Sequence, residues 1–294
     1  MAVNGPTLVP DAGVEEMTTT ENLVSSGGSI GEQVGMWRLS EVVPIAPPVT
    51  GAMAESNVGR GIFVTCSSRD ILSGNAWIRR ACWWLRTHRV GDVPQLLDHG
   101  MASDGRLWMV RSATTPSWRF VLESGGPLPV VPAVRALAAA AESLAPVHDA
   151  GWAHKALTLD LVHAPRSGRA CISGWGDVGL SHDTSPGGGS ESWDADPLAR
   201  PADSGASLDV GALGHMLLEL VTPDARVLRR AGRVSDAVRM ALPDPGIEYR
   251  VLRHIIGGAV HPDSRERWGD ARALASELQT WLDTFGQGRW QAGG

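Results

Sequence analysis

Residues 131–150 carry the strongest helical pattern in the chain. Val134, Leu137, Ala138, Ala141, Leu144, Ala145 and His148 fall at helical spacing as one continuous apolar stripe. This helix delivers Gly151 and the segment GWAHKALTLDLVHAPRSGRACISGWGDVGL, residues 151–180. The segment reads as an apolar anchor, a tight loop and two short strands joined by a turn around Arg166-Ser167-Gly168. The rest of the chain is organised around it.

Strand signals come earlier. Trp37-Arg38-Leu39-Ser40 opens a β-like stretch over 37–68, and Gly61-Ile62-Phe63-Val64-Thr65 is a short apolar strand within it. Residues 70–87 place Trp77, Ile78, Ala81, Trp84 and Leu85 on one helical face. Residues 95–101 and 106–111 read as strands joined by Asp104-Gly105, a pair favoured in hairpin turns. A short helix over 118–126 stops on Gly125-Gly126, and residues 181–205 form a polar loop rich in Gly, Pro and Ser. Ser207-Leu208-Asp209-Val210, with Leu213, Leu217, Leu218 and Leu220, reads as a buried helix. Leu274, Leu278 and Leu282 mark a last amphipathic helix over 271–285. Residues 1–35 are acidic, rich in Gly, Ser and Thr and without hydrophobic periodicity, so disorder is expected there.

Composition narrows the classes. With 294 residues and 43% hydrophobic content, the chain can form one two-lobed domain or two small ones. A formal charge of −6 gives no reason to expect nucleic acid as a partner. Cys66, Cys82 and Cys171 are odd in number and form no C-x-x-C pair, so they read as buried thiols of a reducing compartment. No basic residue precedes Arg38, which argues against a secretory leader with a charged start. No apolar run is expected to approach the roughly 18–20 residues of a membrane span. The expectation is a soluble, cytoplasmic protein. Low lysine with high Ala, Gly and Arg points to a GC-rich bacterial genome. No H-E-x-x-H, G-x-S-x-G, C-x-x-C or P-loop motif occurs.

At fixed spacing and without a gap, His154-Lys155-Ala156-Leu157 resembles the H-R-D-L catalytic loop of protein kinases, and Gly174-Trp175-Gly176 stands where they have D-F-G. The chain thus resembles the bacterial Ser/Thr protein kinases as a degenerate member, a pseudokinase. The resemblance covers about 37–285. It implies an α+β, two-lobed protein-kinase-like fold with a small β-rich N-lobe over 36–111 and a mainly helical C-lobe over 112–285. Flexible ends would occupy 1–35 and 286–294.

The resemblance also implies that the chemistry is gone. The catalytic aspartate, the loop lysine, the metal-binding asparagine and the D-F-G aspartate fall on Ala156, Thr158, Leu161 and Gly174. The only lysine is Lys155, beside the loop histidine, while Thr65 falls near the place of the strand lysine. Arg80, next to Arg79, stands at the glutamate position of helix αC, where an exposed arginine is expected. The Gly-rich lid is replaced by Ile45-Ala46-Pro47-Pro48-Val49-Thr50-Gly51, in which two prolines remove N–H donors. No catalytic residue and no metal ligand is therefore assigned, and no cofactor is expected. A register shifted by three residues would read Asp177-Val178-Gly179-Leu180 as D-F-G-L and make Asp177 a metal ligand for bound ATP. Asp160 is given a surface or cap-like role.

What the resemblance retains is scaffold. His154 would be a packed histidine of the loop, and Asp209, opening helix αF, would hydrogen-bond the loop backbone. Arg267, in His261-Pro262-Asp263-Ser264-Arg265-Glu266-Arg267, would have lost its A-P-E glutamate, since only Ala195-Asp196-Pro197 stands in that place. Glu15-Glu16-Met17 leads into Thr18, Thr19 and Thr20, which look like the acidic-threonine tails that bacterial kinases phosphorylate and forkhead-associated domains read. Twelve tryptophans against one tyrosine suit a binding protein, with Trp193 and Trp290 as candidate contacts. The function expected is a scaffold or allosteric partner of an active Ser/Thr kinase or a phosphothreonine reader. The alternatives are an ATP-binding, non-hydrolysing switch and an atypical metal-dependent transferase using Asp177 or Asp160.

Overall fold

In the computed structural model, residues 31–43, 45, 48–67, 69–88, 93–164, 169–180, 205–222 and 234–286 are described. The architecture is mixed α+β, with a curled antiparallel sheet in the N-terminal part and helices in the C-terminal part. The sheet holds β1 (Gln33–Val34), β2 (Trp37–Val43), β3 (Val49–Ser56), β4 (Gly59–Cys66), β5 (Leu96–Met101) and β6 (Leu107–Ser112). Their spatial order is β1-β2-β3-β4-β6-β5. Gln33–Val34 lies inside the stretch expected to be unstructured, so pairing starts before residue 36: Val34 stands opposite Trp37. Residues 1–30 lie outside the described residues.

Side-chain alternation sorts the sheet into two faces. Ile62, Val64, Cys66, Leu107 and Met109 turn to one side, where helix α1 (Ile71–Thr87) covers them with Trp77, Ile78, Ala81 and Cys82. Phe63, Trp108 and Val110 turn to the other, beneath Trp37, Leu39, Ala52 and Ala54. Residues 61–66 are buried without interruption, which explains why β4 reads as a continuous apolar run. Asp70 caps α1 by accepting from the Ser73 N–H at 3.1 Å.

The C-terminal part contains α2 (Trp118–Gly125), α3 (Val130–Asp149), α4 (Gly205–Val221), α5 (Val234–Ala241), α6 (Ile247–Ala259) and α7 (Ala271–Phe285). Helices α5 and α6 go beyond the elements expected from the sequence. Helix α3 is the centre: Ala133, Val134, Leu137, Ala140, Ala141, Leu144 and Val147 are fully enclosed by α4, α7 and the loop that follows. Its small residues allow neighbouring helices to come close, and each fully buried leucine contributes about 1.5–3 kcal/mol. One expectation needs correction here. By length and composition α3 qualifies as a membrane span, although 67% of the qualifying stretch is buried inside the molecule. That burial is what a core helix requires.

Two short strand pairs shape the segment after α3. In the first, β7 (Trp152–Ala153) pairs with β10 (Gly179–Leu180); in the second, β8 (Val162–His163) pairs with β9 (Cys171–Ile172). They bring residues 154–161 and 173–178 together between the sheet and the helices.

Candidate functional site

The loop is held from below by one carboxylate. Gly151 leaves α3 with φ +81°, a conformation that favours glycine, and β7 then carries the chain to His154. Asp209 on α4 is buried, and its Oδ2 and Oδ1 accept from the backbone N–H groups of His154 and Lys155, both at 2.7 Å. His148 Nδ1 accepts from the Ala271 N–H at 3.0 Å, so its proton sits on Nε2, which donates to Asp209 Oδ2 at 3.0 Å. A buried carboxylate is tolerable when several donors serve it, and here three do. They join the end of α3, the loop, α4 and the start of α7. The grip also holds Lys155 at φ +68°, which costs a non-glycine residue on the order of 1 kcal/mol.

Above the loop, His154 is fully buried. Its Nε2 donates to the Ser173 carbonyl at 2.8 Å, and its ring meets the Trp175 indole edge-on at 4.8 Å. Trp175 stacks on Trp84 of α1 at 5.1 Å, so an aromatic column ties the loop to the sheet's helix. Gly174 has φ +86°, and a Cβ there would lie 2.8 Å from Leu161 Cδ1. Leu161 therefore covers Gly174. At Gly176 a Cβ would fall 2.0 Å from the Trp77 indole, which lies directly on that backbone.

Trp77 then donates from Nε1 to Asp177 Oδ2 at 2.8 Å. Asp177 Oδ1 is buried without a hydrogen-bond partner. Burial pushes this carboxyl above the usual aspartate range, while the Trp77 hydrogen bond and the charges of His154 and Arg80 pull it back. Arg79 and Arg80 are exposed on α1.

The remaining expected positions are scattered. Thr65 is buried, and its hydroxyl donates to the Leu107 carbonyl at 2.9 Å, turned into the sheet. Ile45 sits on Gly51, where a Cβ would be 2.4 Å from its Cδ1; Ala46 and Pro47 lie outside the described residues. Ala156 and Thr158 are half-buried at the loop surface, and the Thr158 carbonyl accepts from the Leu161 N–H at 3.0 Å. Asp160 is exposed, 3.7 Å from Arg119. Arg267 is buried and donates to the His261 and Ser207 carbonyls at 2.6 and 3.2 Å. Thr18, Thr19, Thr20, Trp193, Ala195-Asp196-Pro197 and Trp290 lie outside the described residues.

No protein-family model and no curated protein matches this chain. The site must be judged on its own geometry. Among the described residues no group of three His, Cys, Asp or Glu side chains is placed to hold a metal ion. At the two positions where the kinase resemblance puts Mg²⁺ ligands the residues present do not fit the ion, because Leu161 and Gly174 offer no side-chain oxygen. Asp177 keeps one oxygen on the Trp77 indole and the other unpaired.

Two features escaped the sequence reading. Trp77 was legible only as part of an apolar face, because periodicity names a face and not the partner across the molecule. Arg111 and His163 form a second polar group where β6 leaves the sheet. His163 Nδ1 donates to the Thr115 carbonyl at 2.9 Å, and its Nε2 accepts from the Ser173 hydroxyl at 2.9 Å. Burial, with help from the Arg111 charge, pushes this imidazole down to about 4. The signal available was a histidine at the end of an apolar Leu-Val pair, which a two-residue strand is too short to interpret.

Proposed function

We propose that this chain is a catalytically inactive kinase-like protein, a pseudokinase, serving as a protein-binding scaffold or allosteric regulator in bacterial Ser/Thr kinase-linked signalling. The observation that carries the reading is Leu161 lying on Gly174. These are the two positions where the resemblance puts Mg²⁺ ligands, and here an isobutyl group covers bare backbone. Ala156 cannot accept a proton, and the Thr65 hydroxyl is spent on a sheet carbonyl. Around them, Asp209 holds the loop backbone with both oxygens. A framework of this kind without its chemistry acts through its surface.

The proposal places the protein in the cytoplasm. Its partner would be an active Ser/Thr kinase, or a phosphothreonine-reading forkhead-associated domain engaging Thr18, Thr19 or Thr20. The test is incubation of the purified chain with labelled ATP and Mg²⁺ or Mn²⁺, alone and beside an active bacterial Ser/Thr kinase. The chain alone should transfer no label to itself or to a generic acceptor. With the active kinase, label should appear at Thr18–Thr20. Transfer by the chain alone, abolished by Asp177→Ala, would overturn the reading.

A further inference from the structure

Arg111 sits on β6, between β4 and β5, opposite Ile62 on one side and Leu96 on the other. Alternation puts it on the inward face with Leu107 and Met109, at the strand's end, where the chain leaves for α2. Its side chain is only 9% exposed. Its one side-chain hydrogen bond is long, from Nη1 to the Ser112 carbonyl at 3.4 Å. Among the described residues no carboxylate lies in ion-pair range of it. A guanidinium has five N–H donors, and burying them unpaired is costly.

Among the described residues no carboxylate balances the charge of Arg111. Its field reaches Cys171 and His163, and the latter imidazole is held neutral between the Thr115 carbonyl and the Ser173 hydroxyl. Thr114 Oγ1 lies 3.0 Å from His163 Nδ1. The local set is a buried cationic fork with no carboxylate supplied by the described residues.

We infer that Arg111 forms a binding site for a small oxyanion, a carboxylate or a phosphate, at the junction between sheet and helices. A planar guanidinium accepts either group through two parallel N–H···O bonds. The inference stands on Arg111 and its neighbours and does not rest on the pseudokinase reading.

The experiment is a thermal melt of the full chain in sodium phosphate, sodium acetate and sodium chloride at matched ionic strength and pH. Wild type, Arg111→Met and the exposed-control Arg60→Met are compared. Phosphate or acetate should raise the wild-type Tm saturably, by roughly a few degrees over chloride. A response to phosphate alone assigns a phosphate ligand, and a response to acetate assigns a carboxylate. Arg60→Met should keep the response. Arg111→Met should lose it while melting above wild type in chloride, since it removes an uncompensated buried charge. No shift with either anion, or an undiminished shift in Arg111→Met, overturns the proposal. Alkylation of Cys171 in wild type gives an answer that needs no variant. An anion on Arg111 withdraws the cation that favours the thiolate, so phosphate or acetate should slow the reaction relative to chloride. An unchanged rate overturns the site.

Discussion

Asp209 and His163 show how single buried groups set the stability of this molecule. Asp209→Ala would leave the N–H groups of His154 and Lys155 and the Nε2–H of His148 without an acceptor. Breaking such a buried charged network costs about 3–5 kcal/mol, a large share of a typical domain's stability. Asp209→Asn keeps one acceptor oxygen and should cost less; urea unfolding of both variants measures the difference. His163 predicts a pH dependence. Its imidazole titrates near 4 folded and near 6.5 unfolded, so between those values the unfolded chain binds the extra proton. Stability from this group is complete above about 6.5 and falls as pH drops toward 4, by on the order of 3 kcal/mol. Asp177 works in the opposite sense, because its raised pKa gives the folded chain a proton first as pH falls. His163→Leu should therefore flatten the fall in Tm between neutral pH and 4, or even reverse it.

Among the elements, α1 is the one whose docking the site depends on. It contributes Trp77 over Gly176 and Trp84 against Trp175, reaching segments about a hundred residues away. Trp77→Phe removes the indole donor and leaves both Asp177 oxygens without it, at about 1–3 kcal/mol. A double-mutant cycle with Asp177→Ala should recover a coupling of about 1–2 kcal/mol, and a null coupling would deny the bond any role. Gly176→Ala places a methyl against the indole ring and should cost about 1–3 kcal/mol by overpacking, with an altered tryptophan fluorescence spectrum. The face that α1 buries was legible from Trp77, Ile78, Ala81 and Trp84, because a 3.6-residue period is local information. The hairpin at Asp104-Gly105 and helix α3 were legible for the same reason. Trp77's partner was not: nothing in residues 70–87 encodes which carboxylate 100 residues on will accept its N–H.

For the whole molecule, the sequence pattern located the sheet-then-helix order and the loop at 151–180, since those follow from runs of residues. It missed what depends on convergence from several elements. Asp209 bonding the loop backbone was implied by the resemblance, but its junction with His148 of α3 and, through it, the first N–H of α7 was not. Arg111 was legible only as the end of the strand over 106–111, because a charged residue at a strand end gives no sign of burial. Leu161 and Gly174 were legible as replaced residues, but that one lies on the other emerged only from the fold. That contact supports the proposal that no nucleotide-bound metal is held here. The most direct measurement is a thermal melt with millimolar ATP in Mg²⁺, Mn²⁺ and EDTA. A ligand at about 100 times its Kd adds about 2.7 kcal/mol, enough for a shift of roughly a few degrees. An inactive, metal-free site predicts the same Tm in all three ATP conditions once each is compared with its ATP-free control. A rise with ATP and metal that EDTA removes would contradict it.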